Sequence, residues 1–254
     1  MKRIKNYHTH TLFCGHGKGH PIDYAKYANL KDFEVLGFSE HAPTIIKGLG
    51  GVPFEKIDQY YNEVHELKKI YPNMKILCGL EVDYFETFHP YFKKLLERYD
   101  FLSLSCHYIK CNVHNPGDYS CFCLQNSQDV VTYTDILIKG MESGFFSFVN
   151  HPDLFIREPL AGYEEATKKI VAAAIKYDLP LELNLNQMRA RKQLYERDNY
   201  RYNFWKYVGK TNAKVIINFD AHFPEFLASD IFLDALSFAK ELNLNLVDEI
   251  KIVK

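Results

Sequence analysis

Apolar residues recur along the chain in two alternating rhythms: short, nearly continuous runs, and longer stretches where they return every three or four positions. The short runs fall at 4–7, 33–39, 75–80, 101–105, 145–149, 181–185 and 214–219. Their length and composition suit strands buried on both faces, as in a parallel sheet. The helical rhythm begins at Pro21, with Tyr24, Ala28 and Leu30 in phase and Pro21 suited to a first turn. Ile57, Tyr60, Tyr61, Val64, Leu67 and Tyr71 trace one apolar face of a second helix. Further helices are predicted over 87–98, from Ser127 as N-cap through Met141, and over 164–177, 200–208 and 230–242. Strand alternating with helix predicts a mainly parallel sheet, either closed as a barrel or open and doubly wound. No linker, repeat or low-complexity tract interrupts the alternation, so one domain over 1–254 is expected.

The residues that end the strands decide between barrel and open sheet. His8 and His10, His41, Glu81, His107, His151, and Asp220 with His222 each sit at or just past the end of an apolar run. In a closed parallel barrel those ends share one face, where barrel enzymes place their sites. An open sheet would spread them along a line too long for one cluster, so a distorted (β/α)7 barrel with its site at the strand C-terminal face is expected. His8 and His10, two apart on a strand, project to the same side, and the Gly-rich turn after them brings back His16. A lone histidine after a strand is ordinarily a hydrogen-bonded loop residue. Six of eleven at such positions and His16 beside them, with one Glu and one Asp, point instead to divalent transition metals such as zinc, manganese or iron. Glu81, one carboxylate among imidazoles, is suited to bridge two cations. His20, His65, His89 and His114 fall on helices or loops and receive no role.

A formal net charge of −1 leaves no electrostatic footprint for general nucleic-acid binding. No apolar run approaches membrane-spanning length and no signal-peptide core follows the first residues, so a cytoplasmic protein is expected. In that compartment Cys14, Cys78, Cys106, Cys111, Cys121 and Cys123 are thiols. The spacing of the last four, even with His114, does not form the paired C-x2-C pattern of a structural zinc site. The stretch 109–126 reads as a long loop rich in Asn, Cys, Gly and Asp.

The runs H-T-H-T-L-F-C-G-H-G, G-F-S-E-H-A-P, G-L-E-V-D-Y, S-C-H-Y, N-H-P and D-A-H together resemble the polymerase and histidinol phosphatase (PHP) superfamily, most of all its histidinol-phosphate phosphatase branch. The resemblance runs from Tyr7 to His222 and implies a distorted seven-stranded barrel with a trinuclear metal cluster. It implies that His8, His10, Glu81 and Asp220 hold one metal, that Glu81 bridges to a second held with His107 and His151, and that His16, His41 and His222 hold a third. Two stretches depart from the family pattern without changing a ligand. Residues 218–223 read N-F-D-A-H-F where relatives tend to have small residues, and 184–187 read N-L-N-Q where relatives tend to have a Gly-containing turn.

The reaction implied is hydrolysis of L-histidinol phosphate, within histidine biosynthesis, by in-line attack of a metal-bridging hydroxide, with Asp220 in the catalytic centre. Metal ions suit this because they lower the pKa of bound water and neutralise phosphoryl charge. Arg157 and Arg189 are candidate phosphate clamps, with Lys110 as a further one. Glu40, Asp83 or Asp153 would orient the cationic leaving group. Other readings are a PHP phosphoesterase or nuclease acting on a different ester, and a non-enzymatic metal-binding module. The expected partner is a small phosphate ester rather than nucleic acid or membrane, and the sequence does not fix the oligomeric state.

Overall fold

A computed structural model describes residues 3–44, 51–110, 120–121, 124–156 and 160–253. Seven strands, all paired in parallel, form two curled sheets. The first has the order β1 (Lys5–Asn6), β2 (Val35–His41), β3 (Lys75–Asp83), β4 (Phe101–Ser105). The second comprises β5 (Leu181–Asn184), β6 (Lys214–Asn218) and β7 (Asn245–Leu246). Eight helices accompany them among the described residues: α1 (Pro21–Leu30), α2 (Ile57–Ile70), α3 (His89–Arg98), α4 (Ser127–Ser143), α5 (Tyr163–Lys176), α6 (Leu185–Ala190), α7 (Tyr200–Val208) and α8 (Ile231–Glu241). None of the helices is long and apolar enough to cross a membrane.

Both edges of the first sheet reach toward the second. Val149 bridges in parallel to Leu104 on one side and Leu181 on the other. On the opposite edge, Thr9 bridges to Ala221. There the Asn6 and Asn218 side chains accept from each other's strand, from Phe219 N at 2.9 Å and Tyr7 N at 2.8 Å.

The alternation of side chains along each strand separates two environments. Leu36 and Phe38, Cys78 and Leu80, Leu102 and Leu104, and Val215 and Ile217 join the main hydrophobic core. The opposite face begins with a small second core of Tyr7, Val35, Leu77, Phe101, Phe148 and Ile216, on which Val247, Ile250 and Ile252 pack. Further along that face the positions turn small and polar (Gly37, Ser39, Gly79, Ser103, Asn150, Glu182, Asn218) before reaching the histidines. A polar lining therefore lies between an apolar floor and the predicted site.

Several local expectations change. Residues 145–149 do not form a strand: between Gly144, which caps α4, and Pro152, only Val149 is long enough in register to bridge both neighbours. The run 181–185 is cut at Asn184, whose side chain accepts from Gln187 N at 2.9 Å and starts α6. The cap of α4 is Asn126, accepting from Asp129 N at 3.0 Å, rather than Ser127. β7 was not anticipated, because its two residues are exposed and alternate with asparagine. Most of the loop 109–126 lies outside the described residues, as do Cys111, His114 and Cys123. The four described cysteines, Cys14, Cys78, Cys106 and Cys121, are buried free thiols.

Candidate metal centre

Glu81, near the end of β3, is buried at the centre of the site. The Nε2 atoms of His8, His10, His107 and His151 stand 3.4, 3.1, 3.5 and 3.0 Å from its carboxylate oxygens, and His41 Nδ1 stands at 3.0 Å. Asp220 Oδ1 adds a second anionic point, 3.4 Å from each of His8 Nε2, His10 Nε2 and His222 Nδ1. His16 meets His222 Nε2 to Nε2 at 3.0 Å. The eight residues predicted from the strand ends, and His16 from the turn, are thus brought to one place.

The chain pays attention to backbone here in three ways. His151 and Asp220 have φ of 27° and 51°, in the left-handed region that costs L-residues about 1–3 kcal/mol. Gly15, at φ 81°, closes the short 3-10 turn Leu12–Cys14 that returns His16 to the cluster. Lys18 N then donates to His222 O at 2.8 Å, fastening that turn beside the last ligand pair.

The far nitrogen of several of these rings is held, which fixes the tautomer. His8 Nδ1 is 2.7 Å from Glu182 Oε1, and His107 Nδ1 is 3.2 Å from Asp83 Oδ2. His16 Nδ1 donates to Cys14 O at 3.2 Å. In each case the N–H points away and the Nε2 lone pair points in. His8 Nε2 and His10 Nε2 are 2.9 Å apart. Two ligand atoms each 2.0–2.1 Å from a tetrahedral zinc would be about 3.3 Å apart, so these spacings fit a coordination sphere. Glu81 makes the same point: Oε1 accepts from Ser105 Oγ and Asn150 Nδ2, whereas buried Oε2 accepts no hydrogen bond. A buried carboxylate oxygen facing imidazole lone pairs is a place for a cation. His8, His10 and Asp220 form one group close enough to share an ion, and His41, Glu81 and His107 another. His10, His41 and His222 form a third, as do Cys14, His16 and His222.

Electrostatics divides the imidazoles. Burial would lower His8, but Glu182, Asp220 and Glu81 outweigh it and raise its pKa. Burial likewise opposes charge on His10 and His107, yet Glu40 and Glu81 raise the first to about 9, and Asp83 and Glu81 the second to about 9. His41 is lowered and His222 falls to about 3, both chiefly by burial and then by the charged rings nearby. Burial pushes Glu81 and Asp220 up, but the surrounding histidines hold both well below the ordinary carboxylate range. The pocket binds protons where it would bind cations, so cation uptake and proton release are linked.

The other predicted residues are placed less centrally. Glu40 does not reach the cavity: it is buried, taking Thr11 N at 2.6 Å on Oε1 and facing His10 with Oε2. Asp153 is buried too, accepting from Trp205 Nε1 at 3.0 Å. Neither lines the cavity. Asp83 lies on the cavity wall but is engaged by the His107 backbone N at 2.5 Å and its ring. Arg189 is exposed, donates to Asn186 Oδ1 at 3.0 Å and lies over Phe223 and Phe226. Lys110 is exposed, and Arg157 lies outside the described residues. Glu182, which strand-end reasoning missed, accepts from four donors: His8, Asn218, Asn184 and the His151 backbone. Its signal was present, since Glu182 and Asn184 alternate with leucines in a run otherwise read as wholly apolar.

The cluster opens into a cavity of about 330 Å³ whose far wall is aromatic, formed by Phe85, Phe88, Tyr91, Phe92 and Tyr108. Tyr91 OH donates to Pro43 O at 2.7 Å and ties that wall across the opening.

The PHP domain family model matches residues 6–186, a span that includes every candidate ligand except Asp220 and His222. A histidinol-phosphatase of Bacillus subtilis is 34% identical over 116 residues, 41% of this chain and 43% of that protein. The chain thus aligns with less than half the length of that relative. A probable phosphatase of Clostridium botulinum is 23% identical over 258 residues, covering 100% of this chain and 94% of the relative. Among solved structures, the histidinol phosphate phosphatase of Lactococcus lactis, complexed with zinc, L-histidinol and phosphate, superposes with a TM-score of 0.76. It covers 98% of this chain and 99% of its own at 17% identity, a shared fold.

Proposed function

The chain belongs to the PHP domain family, and from that membership we propose that it is a metal-dependent phosphomonoesterase hydrolysing L-histidinol phosphate to L-histidinol and phosphate. The observation that carries the reading is the gathering of seven histidines around Glu81 and Asp220 at the floor of a cavity sized for a small molecule. In this reading β1 to β4, the Val149 stave, β5 and β6 make one distorted seven-stave barrel, with β7 paired beside β6, in a single domain over 1–254. His8, His10, Glu81 and Asp220 would hold one ion, Glu81 with His107 and His151 a second, and His16, His41 and His222 a third. Zinc, manganese or iron bound there would lower the pKa of water and neutralise phosphoryl oxygens as charge develops.

The protein's own groups do the positioning. Glu182 and Asp83 keep N–H on the outer side of His8 and His107, so that lone pairs face the cavity floor. Arg157 would clamp the phosphate, with Arg189 and Lys110, neither of which lines the cavity, as the further candidates. The aromatic wall suits a flat leaving group, and the Asp83 carboxylate beside it suits a cationic one. The imidazole and amine of histidinol combine both. This fits the relatives named histidinol-phosphatase, while those named only probable phosphatase keep other small phosphate esters in play.

A panel of L-histidinol phosphate, p-nitrophenyl phosphate, glycerol phosphate, AMP and single-stranded DNA, assayed on metal-loaded protein, tests the reading. Histidinol phosphate should lead in kcat/KM by at least about tenfold, the worth of roughly 1.4 kcal/mol of leaving-group contact. A nucleotide or DNA substrate in first place would reassign the cavity.

A further inference from the structure

Arg201 of α7 is wholly buried, an expensive place for a guanidinium. Its Nε donates to Ile156 O at 3.0 Å and its Nη2 to Leu154 O at 3.4 Å, while Nη1 donates to Tyr195 OH and to Gln187 Oε1, both at 3.2 Å. A guanidinium only donates, so the last bond fixes which end of the Gln187 amide faces inward: the oxygen. The Nε2 end makes no hydrogen bond to any described residue, and Gln187 lines the cavity. Its backbone is held as firmly. Gln187 N donates to Asn184 Oδ1, and Asn184 Nδ2 donates at 3.1 Å to Asp220 Oδ2. The Gln187 backbone N–H is therefore joined, through the Asn184 side chain, to the carboxylate at the cavity floor. Among the described residues the wall carries no lysine or arginine, and its imidazoles turn their lone pairs inward.

We propose that the Gln187 carboxamide is a substrate-contacting donor whose NH2 meets a phosphoryl oxygen, and that Arg201 is the positioning residue that holds it in that orientation. The contact rests on the phosphatase reading above.

Two substitutions separate contact from scaffold. Gln187→Glu keeps an acceptor for Arg201 but replaces the NH2 with a carboxylate oxygen; Gln187→Ala removes both. With p-nitrophenyl phosphate and histidinol phosphate, Gln187→Ala should lose about ten- to a hundredfold in kcat/KM, the range for a hydrogen bond to a charged group. Gln187→Glu should lose more, mostly in KM, with weaker inhibition by inorganic phosphate and an unchanged or higher Tm. A merely structural role predicts the opposite order, with Gln187→Glu like wild type and Gln187→Ala unstable, and that result overturns the proposal. The thermal shift given by inorganic phosphate keeps the two readings apart. If the wild type hydrolyses no ester yet is stabilised by phosphate, and Gln187→Glu is not, the contact stands and the phosphatase reading falls. If phosphate shifts neither protein, the contact is overturned.

Discussion

Glu81→Gln is expected to lower kcat by at least about a thousandfold while leaving the protein folded. Ser105 and Asn150 donate to Oε1, and a glutamine oxygen at that point accepts the same bonds. The change is at Oε2, which stands 3.0–3.4 Å from nitrogens of His41, His10 and His8. An NH2 placed there turns protons toward lone pairs and removes the one anion shared by both sides of the cluster. The loss of one bridged cation withdraws several kcal/mol of transition-state charge stabilisation, and each 1.4 kcal/mol is a factor of ten. Elemental analysis should show at least one metal fewer per chain, with Tm near that of metal-free wild type. Turnover close to wild type would remove Glu81 from the centre of the account.

Glu182→Gln should be nearly as damaging, although no metal would touch this residue. Its two oxygens accept from His8 Nδ1 at 2.7 Å, Asn218 Nδ2 at 3.1 Å, Asn184 Nδ2 at 2.8 Å and His151 N at 2.9 Å. A glutamine satisfies only one of those pairs and presents an NH2 to the other, so two buried donors meet a third. Each donor left unpaired costs about 1–3 kcal/mol. His8 would also lose the carboxylate that keeps its proton on Nδ1. Outer partners of ligating histidines are typically worth about ten- to a hundredfold in metal affinity, and the upper end is expected here because His8 and His151 share this one carboxylate. Competition with a chelator of known affinity measures the change, and Tm of the metal-free variant reports the packing cost. Wild-type metal affinity would show that Glu182 only fills space.

What the sequence made legible was the set of residues that strands deliver to one face. His41, Glu81 and His107 follow apolar runs directly, and the parallel pairing of β2, β3 and β4 carries them to one level. The turn to His16 was readable as well, from its glycines. The supporting layer was harder to see. Glu40 and Glu182 are embedded in apolar strands, where an isolated carboxylate looks like a solvent-facing position, and only the curl of the sheets puts them behind histidines. Arg201 sits in a helix whose sequence, Tyr-Arg-Tyr-Asn-Phe-Trp, gives no sign that the arginine is buried along with Tyr202, Phe204 and Trp205. The stave around Val149 kept its place but not its strand character, since pairing there depends on neighbours far away in sequence, Leu104 and Leu181. Local pattern identified which residues converge; tertiary context decided which residues hold them.

The central claim is a cluster of cations assembled on Glu81 and Asp220 that hydrolyses a phosphate ester. The most direct measurement titrates chelator-stripped protein with zinc or manganese and follows, in one series, metal bound per chain and phosphate released from histidinol phosphate. The account predicts no turnover without metal, uptake approaching three ions per chain, and activity that appears only as the second and later ions bind. Saturation at one ion with full activity, or turnover unaffected by stripping, would contradict it.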